Sequence, residues 1–264
     1  MKNIGFLGAG NMGGAIIKGS AGKNPELAYL AYDMDSEKLT SLEAFGVTAA
    51  KSEIQLTEQS DILFLAMKPQ QFGGALRVIA PALRDDTVIV SIGAGISGEY
   101  ITERIGKPCK IVLAMPNTPL LIGEGATALS RLEGVTDEEF ETVKSVFECC
   151  GTTAVIPEDR MKEIICINSS SPAFIYYFAD AFIKYGVNRG IEQSAVVKLF
   201  SQALIGSAKM ITDSGYSVGD LIKMVSSPGG TTVAGLQEFY AGNLEETLTR
   251  ACESCTSRAY ELGQ

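Results

Sequence analysis

A chain of 264 residues, 46% apolar and 20% charged, has an ordinary globular composition with room for one or two domains, which excludes a disordered chain. A net charge of −9 without any basic cluster argues against nucleic acid and anionic membrane as partners, and leaves backbone amides or single basic side chains to hold an anionic ligand. No apolar run is long enough to span a bilayer, and histidine, a common zinc ligand and the usual general acid, is absent.

The six cysteines include a Cys252–Cys255 CxxC and an adjacent Cys149–Cys150 pair. They read as reduced core residues, the CxxC sharing one face of a helix, and no metal is expected. The opening Met1-Lys2-Asn3-Ile4 reads as the approach to a first strand rather than a signal, so the cytoplasm is the expected compartment.

The first strand is expected over residues 3–8. It runs into Gly8-Ala9-Gly10-Asn11-Met12-Gly13, a GxGxxG followed by the apolar Ala15-Ile16-Ile17 of a helix. Strand, glycines and helix in that order form a dinucleotide-binding fingerprint. Gly8 allows the tight turn, Gly10 lets backbone approach a pyrophosphate, and Gly13 lets the helix pack closely on the strand. Amides at the helix start, those of Asn11 and Met12 among them, receive the phosphates without net positive charge.

A second strand over 28–32 ends at Tyr32-Asp33, about twenty residues beyond the loop. An acid there accepts hydrogen bonds from the adenosine ribose hydroxyls and repels a 2′-phosphate. Asp35 and Glu37 add negative charge, with Lys38 nearby to offset it. By itself this favours NAD(H), although the same acids also suit the first turn of a helix.

An amphipathic stretch over 36–45 precedes the continuous apolar run Ile62-Leu63-Phe64-Leu65-Ala66, which suits a parallel strand buried on both faces. That strand leads into Met67-Lys68-Pro69. Ligands of open α/β sheets bind at the carboxyl ends of strands, so Ala66, Met67, Lys68 and Pro69 are candidates for the cofactor. Lys68 suits the nicotinamide ribose or a phosphate, and equally an ordinary surface lysine.

Further strands are expected over 88–92, 111–115, 126–130 and 153–156, with helices over 73–83, 97–105 and 137–147. The loop Met115-Pro116-Asn117-Thr118-Pro119 has its shape fixed by two prolines. Asn117 either offers an amide to cofactor or substrate or serves the loop itself. The alternation of strands and helices up to residue 157 predicts a doubly wound α/β domain.

Beyond Pro157 the pattern is helical throughout: 160–185, broken or kinked at Pro172, then 193–214, then 243–262. The expected domains are 1–157, binding a dinucleotide, and 158–264, all helical. Stretches such as 179–185 and 196–205 are too apolar for one isolated layer and predict a subunit interface.

Ser226-Ser227-Pro228-Gly229-Gly230-Thr231-Thr232 reads as a helix start, with serine at the N-cap and proline at the first helical position. The helix then runs through Val233, Leu236 and Tyr240 to Gly242. Two glycines in a first turn are poor helix formers, and they leave amide N–H groups open to a carboxylate-sized ligand, with the Thr231 and Thr232 hydroxyls beside them. An ordinary capped helix is the other reading.

With these stretches together, the chain resembles the pyrroline-5-carboxylate reductases along essentially its whole length. The resemblance is carried by Gly5-Phe6-Leu7-Gly8-Ala9-Gly10-Asn11-Met12-Gly13, by Ala66-Met67-Lys68-Pro69, by Met115-Pro116-Asn117-Thr118-Pro119 and by Ser227-Pro228-Gly229-Gly230-Thr231-Thr232-Val233-Ala234-Gly235-Leu236, with residues 203–210 and 258–262 also fitting. One departure stands out: where the family usually reads Ser-Gly-Ser-Gly-Pro-Ala-aromatic, this chain has Asn168-Ser169-Ser170-Ser171-Pro172-Ala173-Phe174. Two glycines have become Ser169 and Ser171.

The resemblance implies a Rossmann-type, doubly wound, mostly parallel sheet followed by an all-helical dimerisation domain that interlocks with its partner's, in a homodimer or larger homo-oligomer. It implies reduction of L-Δ1-pyrroline-5-carboxylate to L-proline with NADPH or NADH, the last step of proline biosynthesis. Ser227, Gly229 and the amides around Gly230, Thr231 and Thr232 would take the substrate carboxylate, with Thr232 on the imine nitrogen.

The missing histidine fits. Reducing a ketone creates an alkoxide that needs a proton, whereas hydride addition to a protonated imine neutralises a cation. β-Hydroxyacid dehydrogenases, the nearest alternative, rely on a lysine in the first helix of the second domain, and residues 163–183 contain none. A non-catalytic dinucleotide sensor would bind cofactor without turnover, and the intact serine–glycine–threonine loop argues against it.

Overall fold

The computed structural model describes residues 1–262. They form two compact units: Met1–Pro172 together with residues 254–262, and Ala173–Glu253.

The first unit is built on a sheet of eight strands in the order β3-β2-β1-β4-β5-β6-β7-β8. The strands are β1 (Lys2–Leu7), β2 (Leu27–Tyr32), β3 (Thr48–Ala49), β4 (Ile62–Leu65), β5 (Val88–Ser91), β6 (Lys110–Pro116), β7 (Gly125–Arg131) and β8 (Gly151–Val155). Neighbouring strands pair in parallel, except that β7 runs antiparallel to β6. Strand order reverses between β1 and β4, which creates the crevice where ligands of such sheets bind.

Side chains of successive strand residues point to opposite faces, and both faces are covered. Ile4, Phe6, Ile62 and Phe64 pack against α1 (Asn11–Ser20), α2 (Ser36–Glu43) and, through Phe140, Val143 and Phe147, α6 (Asp137–Glu148). Phe6 and Phe64 stack with centroids 4.4 Å apart. Leu7, Leu63 and Leu65 face the other way, toward α3 (Glu53–Gln59), α4 (Pro69–Ile79) and α5 (Gly98–Ile105). Buried on both sides, β4 and β5 carry no polar alternation, as parallel strands require. The last described segment also belongs to this unit: Ala259 is buried in its core, and Tyr260 Oη donates to Glu163 Oε1 at 2.8 Å.

Three expected features need correction. Of the break or kink expected at Pro172, the chain has a break in regularity, and its α-helical part starts at Ser171 rather than near residue 160. A π-helical turn over Ile165–Ser170 gives way to α7 (Ser171–Asn188), with Pro172 in its first turn, where a missing N–H costs nothing. The helix expected from residue 73 begins at Pro69 for the same reason. The short β3, α3 and α9 (Val218–Met224) were not anticipated, since two to seven residues are too few to display a period.

The second unit carries the rest of α7, then α8 (Gln193–Asp213), α9, α10 (Thr231–Ala241) and the start of α11 (Leu244–Leu262). Phe178, Phe182, Phe200 and Phe239 form an aromatic chain with centroid separations of 4.5 to 6.3 Å. Yet no residue of α8, α9 or α10 is buried, and Leu199 and Tyr177 are 71% and 81% exposed. So much open apolar surface is the signature of an interface. No helix among the described residues is long and apolar enough to cross a membrane.

Candidate functional site

The glycine loop joins β1 to α1 at the carboxyl edge of the sheet. Gly8 has φ +104, a conformation that side chains disfavour, and a Cβ there would lie 2.6 Å from Ala66 O. A Cβ at Gly13 would lie 2.4 Å from Gly8 O and 2.9 Å from Ala66 Cβ, so helix and strand touch there. Gly10 differs: its added Cβ meets nothing within 4 Å. Local packing therefore explains Gly8 and Gly13 and leaves the bareness of Gly10 to an incoming group. A groove of about 620 Å³ opens beside it along α1, lined by Gly10, Asn11, Lys18, Lys38 and Leu121 among others.

Helix ends sharpen the contrast. Asp35, Ser52, Ser97, Thr136, Glu192 and Ser217 each lend a side-chain oxygen to the first turn of the helix they precede. By contrast, α1 and α10 are entered from Gly10 and Gly230 with no side-chain cap. The first amides of a helix have no acceptor inside it, so both ends present free donors backed by the positive end of the helix dipole.

Around the glycine loop, Asp33 follows β2 and is tied back to it: Ala9 N donates to Asp33 Oδ2 at 2.8 Å. Burial works to raise the pKa of this carboxyl. The hydrogen bonds from Asp35 N and Ala9 N and the Lys38 ammonium outweigh it and hold the carboxyl below its ordinary value. Ala66 and Met67 follow β4 and are half-buried, with Ala66 against Gly8 and Gly13. Lys68 is exposed and precedes Pro69 at the start of α4, where Gln71 Oε1 accepts from its backbone N–H at 3.1 Å.

Asn117 is buried, and its amide works inside the protein. Oδ1 accepts from Ala126 N at 2.9 Å and Nδ2 donates to Asn168 O at 3.3 Å. Asn168, which the sequence reading did not single out for a role, answers in kind, its Nδ2 donating to Met115 O at 2.5 Å and to Ala126 O at 3.1 Å. This reciprocal pair clamps the π-helical turn onto the end of β6. Of the alternatives open for Asn117, these bonds favour the loop-shaping one. Ser169 Oγ lies 3.5 Å from Pro116 O, and Ser171 Oγ donates to Ile167 O at 2.6 Å, so both hydroxyls have local acceptors. An Asn168→Ala chain is expected to lose about 1–3 kcal/mol of stability by stripping donors from the two carbonyls. Urea unfolding with a lowered midpoint and an unchanged slope would register it.

Also unanticipated is a cavity of about 40 Å³ at the ends of β5 and β6, lined by Ser91, Gly93, Ser97, Met115 and Glu158 among others. The signal was present in the sequence: Gly93 and Gly95 follow an apolar strand just as Gly8 and Gly10 do.

In the second unit the Ser227–Thr232 loop corrects the expected cap. Gly230 N donates to Ser227 O at 2.9 Å and Gly229 has φ +72, so Ser227-Pro228-Gly229-Gly230 is a type II turn with proline and glycine at its two central positions. The helix starts at Thr231, three residues after the expected first position. A Cβ at Gly230 would lie 2.6 Å from Ser227 Oγ. The turn thus gives both glycines a backbone reason, and it leaves the amides at the start of α10 uncapped beside two threonine hydroxyls. Ser227, Gly229, Thr231 and Thr232 are exposed.

Residues 158–262 match the model of the pyrroline-5-carboxylate reductase dimerisation domain, and residues 3–95 match that of coenzyme F420-dependent NADP oxidoreductases. The chain is 33% identical to the pyrroline-5-carboxylate reductase of Escherichia coli K12 over 266 aligned positions, covering 100% of this chain and 99% of that protein. The chain belongs to the pyrroline-5-carboxylate reductase family. The crystal structure of the Plasmodium falciparum pyrroline carboxylate reductase, solved with NADP bound, matches with a TM-score of 0.90 at 29% identity, covering 100% of this chain and 98% of that one. The Coxiella burnetii pyrroline-5-carboxylate reductase matches with a TM-score of 0.91, also at 29% identity, covering 100% and 99%. The fold is therefore that of this reductase family: a Rossmann-type, mostly parallel sheet followed by the family's helical dimerisation region.

Proposed function

We propose that this chain reduces L-Δ1-pyrroline-5-carboxylate to L-proline with NAD(P)H, the closing step of proline biosynthesis. The observation that carries the reading is the pair of glycine-entered, uncapped helix starts, at α1 and α10, in a family member where α2, α3, α5, α6, α8 and α9 each take a side-chain cap.

The dinucleotide fits the first of them. Gly10 faces open space that a Cβ would fill, and the amides of Asn11 and Met12 open α1. In this reading residues 1–157 bind the dinucleotide through Gly8, Gly10, Asn11, Met12, Gly13, Asp33 and Ala66–Pro69, with Asn117 shaping its loop. When bound, the reduced nicotinamide supplies the hydride.

Residues 158–264 take the substrate and join the subunits. The amides that follow Gly230, those of Thr231 and Thr232, hold the carboxylate, aided by Ser227 and Gly229, and the Thr232 hydroxyl orients the ring nitrogen. Orientation is the main requirement, because a protonated imine needs no proton from the protein as it is reduced. The open faces of α8, α9 and α10 support a homodimer whose helical domains interlock, and six cysteines outside any disulfide fit a reducing cytoplasm.

The test is a direct assay with pyrroline-5-carboxylate and either reduced nucleotide. The expected result is loss of reduced-nicotinamide absorbance that depends on substrate and yields proline. No consumption with either nucleotide would remove the proposal.

A further inference from the structure

Asp33 stands immediately beyond β2, where the adenosine ribose of a dinucleotide lies in sheets of this order. The backbone fixes its carboxylate twice, through Ala9 N on Oδ2 at 2.8 Å and Asp35 N on Oδ1 at 2.9 Å. The first of these bonds comes from the glycine loop itself, so the acid is registered to the turn that takes the pyrophosphate. With its side chain only 13% exposed, it has little freedom to swing aside for a ligand.

The surrounding charge is negative. Lys38 Nζ lies 3.2 Å from Asp33 Oδ1 and 3.6 Å from Asp35 Oδ2, one ammonium shared by two carboxylates, and Glu37 adds a third acid to the same turn. The first arginine of the chain is Arg77, so none comes from β1, α1, β2 or α2. The other two lysines of the groove along α1 are engaged elsewhere. Lys23 Nζ donates to Cys149 O at 2.6 Å, and Lys18 Nζ lies 5.9 Å from the centroid of the Phe45 ring.

We infer that this chain takes a dinucleotide with a free adenosine 2′-hydroxyl, NADH, in preference to the 2′-phosphorylated NADPH. Oδ2 of Asp33 accepts one N–H and keeps a lone pair for a ribose hydroxyl. A 2′-phosphate at the same place meets a carboxylate held by two backbone bonds, and the Lys38 ammonium beside it is already divided between two acids. Like charges brought together at a binding surface discriminate strongly against the wrong partner. The inference rests on the dinucleotide site of the proposed function and is independent of which substrate is reduced.

Calorimetric titration of the full chain with NAD⁺ and, separately, with NADP⁺ reads the preference without turnover. NAD⁺ is expected to bind at least roughly tenfold more tightly at about 0.1 M salt. Asp33→Asn keeps an oxygen to accept from Ala9 N and removes the charge, so it is expected to shrink that gap to about twofold. NADP⁺ binding as tightly as NAD⁺ to the unaltered chain overturns the inference, and so does an Asp33→Asn ratio equal to the unaltered one. The first of these needs no variant to fold. A chain that prefers NAD⁺ yet leaves pyrroline-5-carboxylate unreduced contradicts the proposed reaction and leaves the selectivity standing.

Discussion

Gly10→Val is expected to weaken dinucleotide binding about 100-fold, ~2.7 kcal/mol, while the melting temperature stays close to that of the unaltered chain. The physical basis is the empty space at this position. A Cβ on Gly10 touches no atom of the protein within 4 Å, and the residue's backbone, at φ −67 and ψ −169, lies in the extended region open to any side chain. The substitution therefore adds bulk only where the pyrophosphate must come against the backbone.

Gly13 provides the contrast. A Cβ there lies 2.4 Å from Gly8 O, a backbone atom that cannot rotate away. Gly13→Ala should accordingly cost about 1–3 kcal/mol of stability, the usual penalty of overpacking. Calorimetric titration for Gly10→Val and thermal unfolding for both variants separate a bare surface from a tight fit. A Gly10→Val chain that binds the dinucleotide normally removes the glycine loop from the site.

The second large effect is expected at Thr232. Thr232→Ala should lower kcat on the order of 100-fold, the scale on which misplaced reactants lose rate. Dinucleotide affinity and unfolding midpoint should be unchanged. The residue is exposed in the second position of α10, and the turn that precedes it is set by Pro228, Gly229 and Gly230 rather than by the threonine side chain. Thr232→Ser, which keeps the hydroxyl, should recover much of the rate. Steady-state kinetics that show full turnover by Thr232→Ala exclude the side chain from orienting the imine.

Much of the architecture was legible because its determinants are local. The apolar runs at Ile4–Leu7, Ile62–Leu65 and Val88–Ser91 are long enough to mark buried strands, and the GxGxxG marks the turn between β1 and α1. The serine–glycine–threonine loop was legible as composition but not as geometry. Ser-Pro suits a helix start equally well as a type II turn, and only the positive φ of Gly229 decides between them. The Asn117–Asn168 clamp was hidden for a different reason. It joins residues 51 positions apart, and nothing in either local pattern says that one asparagine will satisfy the backbone of the other's loop. Asp33 lay between these cases: its position beyond β2 was readable, whereas the Ala9 N–H that fixes its carboxylate follows only from the folded turn.

A crystal of the chain grown with a dinucleotide and with proline, the proposed product, bears most directly on the account. It should show the pyrophosphate against the amides that follow Gly10 and the proline carboxylate against those that follow Gly230. Both ligands ordered elsewhere, or either helix start left without its anion, would contradict the claim that unadorned main-chain donors do the gathering.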